Sequence, residues 1–249
     1  MQINKIDNTN FTSLKNPVKC FYVNTPKGKL YVEEVRLSKK NPDDAMNVSE
    51  FFNRNFIDGS SDPLWKEYLL PYNQKQFEEK NKRYASYLTH IFEHDDGNTT
   101  LLLARDYFNK IRGAVFSKTY NDPESLYDKK LCNIEALAVE KDYRHSNLGK
   151  SLMEKTMRSA KNAFTDAVLT GYNKAVPFYK KLGFKVLPKD TKQKKYFYKE
   201  LQKERDDIPT YTQIMYKPLQ EKSQRFYDRI DVKSRFSEFI SNLKQQITG

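Results

Sequence analysis

The chain has 249 residues, 38% of them apolar, and 44 Lys plus Arg against 32 Asp plus Glu give it a formal charge of +12. That length holds one large domain, or one domain with an appendage. No apolar run approaches the ~18 to 20 residues that span a bilayer, and the opening MQINKIDNTNFTSLKN lacks signal-peptide character, so a soluble cytoplasmic protein is expected. Two cysteines (Cys20, Cys132) and three histidines (His90, His94, His145) supply neither a disulfide framework nor a zinc-finger spacing. The positive balance attracts anions in general, but Lys and Arg are interleaved with acids along the whole chain, without a like-charge block that would mark a nucleic-acid tail.

In chain order, residues 18–37 hold two apolar and β-branched runs around Thr25, Pro26, Lys27 and Gly28, which predicts a hairpin. Phe51, Phe52 and Phe56 cluster at helical spacing, GSSDP at 59–63 breaks the pattern, and Phe77, Tyr84, Tyr87, Leu88 and Ile91 resume it, predicting two helices with a loop between. His90 and His94, four apart on the second helix, read as surface residues in the absence of a further ligand motif. TTLLLARD at 99–106 and KIRGAVFSKTY at 110–120 read as two strands with a tight link. The segment 131–139, LCNIEALAV, is nearly continuous in apolar character, as a strand buried on both faces would be, and Cys132 reads as a small buried group within it.

From Leu148 onward Leu152, Met153 and Met157 space an apolar stripe along a helix. A strand at 166–172, a short helix at 173–184 stopped by Gly183, a strand at 184–187 and an alternating strand at 211–219 complete an α/β order built on one mixed sheet. After Pro218, Phe226, Ile230, Phe236, Phe239, Ile240 and Leu243 recur at helical steps. An amphipathic tail of this kind packs on its own domain or on a partner chain.

Chemistry concentrates at 131–150, where a strand ends in YRHSNLGK and turns into a helix. Asn147 and Gly149 beside the helix start would aim backbone amides at one point, and Arg144, His145 and Lys150 add positive charge there, which together describe an anion cradle. The sequence around it resembles the GCN5-related N-acetyltransferase (GNAT) family. LAV at 137–139, then Arg144-His-Ser-Asn-Leu-Gly149, then Asn173, Ala175, Phe178, Tyr179, Gly183 and Phe184 follow that family's linked motifs in order and spacing. Asn147 stands where the family usually has its first glycine, and asparagine is the residue after glycine that best tolerates a left-handed backbone.

The resemblance implies a mixed, mostly antiparallel central sheet flanked by helices over residues 28–219, with an N-terminal extension or hairpin strand at 1–27 and a C-terminal helical extension at 220–249. It implies acetyl-coenzyme A as cofactor, lying where the strand with Leu137, Ala138 and Val139 splays from the strand at 166–172. Arg144, His145, Asn147, Leu148, Gly149 and Lys150 would hold its pyrophosphate, and Asn173 and Phe178 its arm. Tyr179 resembles the general acid for the departing thiolate, suited by an ordinary pKa of about 10.

Glu135, on the same strand face as Leu137 and Val139, either takes the proton of the attacking amine or pairs with a neighbouring cation or faces solvent. Trp65, Tyr68 and Tyr72 occupy the region that lines the acceptor site in the resembled family. The expected activity is acetyl transfer to a primary amine of a protein, peptide or small molecule by direct attack in a ternary complex, with no metal. Local acids such as Glu33, Glu34, Asp58 and Asp62 would have to offset the net charge for a strongly cationic acceptor, which slightly favours a protein or peptide. The alternative is a non-catalytic binding module acting through the tail, as a homodimer or with a partner protein; nucleic-acid binding ranks last, and no membrane partner is expected.

Overall fold

The computed structural model describes residues 20–59, 73–95, 97–121, 130–162, 166–187 and 212–220. The expected acceptor aromatics Trp65, Tyr68 and Tyr72, the acid Asp62 and the C-terminal helical extension lie outside these described residues. Among them are eight strands, β1 (Cys20–Thr25), β2 (Gly28–Val35), β3 (Thr99–Arg105), β4 (Ile111–Asn121), β5 (Lys130–Val139), β6 (Asp166–Tyr172), β7 (Lys185–Val186) and β8 (Thr212–Lys217). Four α-helices accompany them: α1 (Pro42–Gly59), α2 (Gln74–Glu93), α3 (Leu148–Asn162) and α4 (Val176–Lys181). The strand order is β1-β2-β3-β4-β5-β6-β8-β7, and β5–β6 is the parallel pair among antiparallel ones, which is the mixed, mostly antiparallel sheet expected from the sequence. No helix among the described residues is long and apolar enough to cross a membrane.

The chain divides into two compact units, Met1–Lys118 with Glu135–Thr156, and Thr119–Ile134 with Met157–Gly249. In the first, the β1–β2 hairpin closes on Pro26 and Lys27. Thr25 Oγ1 donates to Gly28 O (2.7 Å) and accepts from Lys27 N (3.2 Å), while Gly28 takes a φ of +119° that side chains disfavour. Helix α1 starts on Pro42, where a missing amide proton costs nothing, with Asp43 and Asp44 in its first turn favouring the positive helix end.

Phe52 is fully buried between the stacked ring of Phe56 (5.7 Å) and the edge-on ring of Tyr84 from α2 (6.2 Å), a burial that contributes about 2 kcal/mol. Register between the two helices is fixed by polar contacts: Ser49 Oγ donates to Asn81 O (2.8 Å) and Asn53 Nδ2 to Asn81 Oδ1 (2.7 Å). This helix pair shares a core with Val35, Leu101, Leu103, Ala114, Phe116, Ala136 and Ala138 of the strands. Tyr87, read as part of the apolar stripe, is exposed and stacks on Tyr84 instead.

In the second unit, Leu131↔Asp166 through Ile134↔Leu169 form the parallel β5–β6 ladder, so residues 135–139 lie past its end. Strand β8 runs antiparallel to β6 and carries the two residues of β7 on its other edge. Asp166, buried at the start of β6, accepts from Leu219 N (2.8 Å) and Gln220 N (3.3 Å), which anchors the chain leaving β8. Gly183 ends α4 with a φ of +84°, its N–H donating to Lys180 O (2.9 Å).

Candidate active site

Along β5, Cys132, Ile134, Ala136 and Ala138 are buried, and Asn133, Glu135, Leu137 and Val139 are half-buried. The expectation of a strand buried on both faces is therefore corrected. Its apolar continuity reflects one deeply packed face and one half-open face carrying Glu135, Leu137 and Val139 together, as their spacing predicts. Ala138 has its side chain in the core shared with α1 and α2, so only its backbone could meet a ligand.

Past Val139 the chain makes one 3-10 turn, Lys141–Tyr143, and Arg144 folds back so that its Nε donates to Val139 O (3.1 Å). His145 and Asn147 both adopt left-handed conformations, φ +62° and +64°. Between them Ser146 is buried and its hydroxyl donates to Tyr143 O (2.5 Å). Asn147 O accepts from Ser151 N (2.9 Å), which starts α3 and leaves the amides of Leu148, Gly149 and Lys150 with no acceptor one turn back in the helix. Leu148 buries its side chain completely, while His145, Asn147 and Lys150 are exposed. Two left-handed residues outside glycine, in one exposed loop before a helix start, are strain of the kind that persists at ligand-holding turns.

Three features that hold this loop were missed in the sequence. Gly113 of β4 faces the start of α3: a Cβ there would lie 2.8 Å from Leu148 Cδ2 and 3.1 Å from Leu152 Cδ1, so the helix approaches the strand only because position 113 has no side chain. Arg112 binds Asp106 (2.7 Å) and Glu140, and its guanidinium lies 5.3 Å from the Tyr143 ring centre. Burial works against the Arg112 charge, but the hydrogen bonds to Asp106 and Glu140 outweigh it and raise its pKa. Burial likewise opposes ionisation of Asp106, and the N–H of Lys110 together with Arg112 overcomes it, lowering that pKa. Glu140 N also donates to Arg112 O (2.9 Å), so backbone and side chains fix the end of β5 twice over. A lone glycine in an apolar strand was the one available sequence signal; the pair Arg112–Glu140 joins residues 28 positions apart and had none.

Tyr179, Phe178 and Asn173 belong to the second unit. Asn173 is exposed in the 3-10 turn Asn173–Ala175, which leads into α4. Tyr179 is buried, its ring edge-on to Phe178 (5.2 Å) and Phe184 (6.0 Å). Gly171 of β6 makes room for that ring, since a Cβ at 171 would lie 3.2 Å from two of its carbons. Burial pushes the Tyr179 hydroxyl up to about 12, which corrects the expectation of an ordinary tyrosine near 10.

Of the acids that would have to offset the net charge for a cationic acceptor, Glu33 is buried and spent in an ion pair with Arg105 (2.7 Å). Cys132 is buried, as expected. His90 and His94 are exposed, and no group of three or more metal-ligating side chains occurs among the described residues.

The family model for the acetyltransferase (GNAT) family matches residues 62–184, from ahead of α2 to the end of the α4 turn, and so includes both clusters just described. Residues 62–184 thus match a GNAT acetyltransferase domain. Among curated proteins no sequence matches the chain significantly. Solved structures similar to it include the PaiA N-acetyltransferase of Thermoplasma acidophilum in complex with coenzyme A, at 16% identity and TM-score 0.45, covering 75% of this chain and 98% of that one. A GNAT acetyltransferase of Staphylococcus aureus matches at 14% identity and TM-score 0.46 over 76% and 99%. One from Streptococcus pneumoniae matches at 18% and 0.45 over 75% and 98%. The match of the family model opens ahead of α2, so the β1–β2 hairpin and α1 precede the acetyltransferase match.

Proposed function

We propose that the chain is an N-acetyltransferase that uses acetyl-coenzyme A and delivers the acetyl group to a primary amine of a protein, peptide or small molecule. The observation that carries the reading is the loop 144–150: two left-handed residues, then the open amides of a 15-residue helix, with exposed Lys150 and His145 alongside. That donor set fits a pyrophosphate, whose negative oxygens need N–H groups and positive charge at a helix start. When bound, the cofactor supplies the acetyl group as a thioester, which an amine displaces to give an amide and a free thiol.

The protein's own groups then have three tasks. The open amides of α3 and the cations beside them hold the phosphates. Glu135, on the half-open face of β5 with Leu137 and Val139, takes the proton that an alkylammonium must lose before its nitrogen can attack. Tyr179, with its hydroxyl raised to about 12, stays protonated throughout the neutral range. It therefore serves as a neutral hydrogen-bond donor to the leaving sulfur, since full proton transfer to a thiolate of pKa about 8.5 would be uphill by several units. A cytoplasmic location goes with this reading.

Calorimetric titration with acetyl-coenzyme A, on the full chain and on Arg144→Ala combined with Gly149→Val, tests the reading. Saturable binding lost in the variant, followed by amine-dependent thiol release by the parent, is the expected result. Absence of binding by the parent chain would overturn it.

A further inference from the structure

The β3–β4 turn at 106–110 presents an aromatic corner that the reading above leaves unused. Tyr107 and Phe108 are 69% and 77% exposed, the most exposed large apolar side chains among the described residues, and their rings meet at 5.6 Å and 83°. Neighbouring exposed rings of this size mark a contact surface. The turn that carries them is fixed. Asp106 accepts from Phe108 N and Lys110 N (2.9 Å each), Asp106 N donates to Lys110 O (3.0 Å), and Arg105 Nη1 donates to Asn109 O (3.0 Å), with Asn109 left-handed at φ +61°.

The same Asp106 carboxylate holds Arg112, which holds Glu140 and lies over Tyr143, whose carbonyl accepts from Ser146 inside the cradle. One unbroken series of contacts within one unit therefore ties the aromatic corner to the phosphate loop. Exposed Lys110 and Lys141 lie along that series, one on the turn and one just ahead of the cradle.

We propose that Tyr107 and Phe108 form a stacking platform for the purine ring at the nucleotide end of coenzyme A. The proposal rests on the acetyl-coenzyme A reading and extends it to what the protein recognises beyond the thioester. A pyrophosphate held at the start of α3 leaves the adenosine as the part of the donor that emerges from the cradle. A purine offers a π-face that stacks on an aromatic ring without needing a hydrogen-bond code, and two rings at a right angle give it one face to lie on and one edge to abut. Lys110 and Lys141 supply positive charge for the phosphate on the ribose.

The test compares coenzyme A with 4′-phosphopantetheine, which lacks the purine, by calorimetry on the full chain, on Tyr107→Ala/Phe108→Ala and on Tyr107→Phe/Phe108→Tyr. The double alanine variant is expected to bind coenzyme A about tenfold more weakly, or 1.4 kcal/mol, and to keep its affinity for phosphopantetheine; the aromatic exchange is expected to keep both. A second readout needs no variant: NMR cross-relaxation between the adenine protons and tyrosine or phenylalanine ring protons, lost in the double alanine variant. Unchanged coenzyme A affinity in that variant would overturn the proposal and assign the corner to a macromolecular partner. Equal loss for both ligands would also overturn it, as damage to the cradle. Failure of the parent chain to bind coenzyme A would bring down the acetyl-coenzyme A reading itself, a result distinct from either.

Discussion

Around the 144–150 loop charge and hydrogen bonds hold most of the fixed positions, with Arg112 joining Asp106 to Glu140 and Ser146 closing on Tyr143, and one packed contact, Leu148 on Gly113, completes them. Around Tyr179 the same task falls to packed rings and to the space left by Gly171. A loop that must admit an anion keeps its amides toward water and needs side-chain bonds elsewhere to stay in shape, because it cannot bury itself. A residue that must stay a neutral donor gains from burial, which penalises its charged form. Disturbance should therefore show as lost ligand affinity in the first region and as a changed pH profile in the second.

The largest expected effect breaks the one packed contact on which the loop region depends. Gly113→Val would drive a branched side chain into Leu148 and Leu152, both fully buried. Overpacking of this kind costs about 3 kcal/mol and pushes the start of α3 away from β4. Denaturant unfolding should show that loss, and acetyl-coenzyme A titration should show weakened binding, while Gly113→Ala falls between the parent and the valine variant.

Tyr179 gives the next effect. Its pKa in the folded chain, about 12, exceeds the value near 10 of an unfolded tyrosine. Its contribution is thus complete below pH 10 and is lost as pH rises from 10 toward 12, because the unfolded chain releases the proton first. The two-unit gap corresponds to about 2 to 3 kcal/mol. Tyr179→Phe should be flatter than the parent in unfolding free energy across that window. In turnover it should lower kcat with acetyl-coenzyme A binding kept, and an unchanged kcat would remove Tyr179 from the mechanism.

How far the sequence carried depends on how local each signal is. The hairpin turn, both early helices, the strand at 166–172 and the loop with Asn147 each declare themselves within a few residues, and each stands where it was expected. The strand at 131–139 misled because Ala136 and Ala138 on one face and Leu137 and Val139 on the other are all apolar, so hydropathy could not show that one face is only half covered. Glu33 looked like a surface acid because its partner, Arg105, is 72 residues away on β3. Glu140 was invisible as a partner of Arg112 for the same reason, since 28 residues separate the two.

Removing Arg112 tests its two pairings directly. Arg112→Ala would leave the Asp106 and Glu140 carboxylates facing each other without their shared cation, at a cost of about 2 kcal/mol. Asp106 is held below its ordinary pKa in the parent, so its contribution is complete above that ordinary value and fades as pH falls through the lowered one. Part of the parent's acid sensitivity should disappear with the arginine, read by thermal unfolding between neutral pH and about pH 3.

The smallest effect is the most informative about the loop itself. Asn147 holds φ +64°, a conformation that disfavours a side chain by about 1 kcal/mol and disfavours asparagine less than most. Glycine removes that strain but loses more chain entropy on folding, so Asn147→Gly should raise stability by only a few tenths to about 1 kcal/mol. Its effect on ligand is separable, because the side chain at 147 is exposed beside the open amides of α3. If that side chain limits how closely a pyrophosphate approaches, the glycine variant binds acetyl-coenzyme A several-fold more tightly at nearly unchanged melting temperature. Equal affinity would instead show that asparagine already gives the backbone shape the phosphates need, and that the cradle depends on the φ angle at 147 and not on the missing glycine.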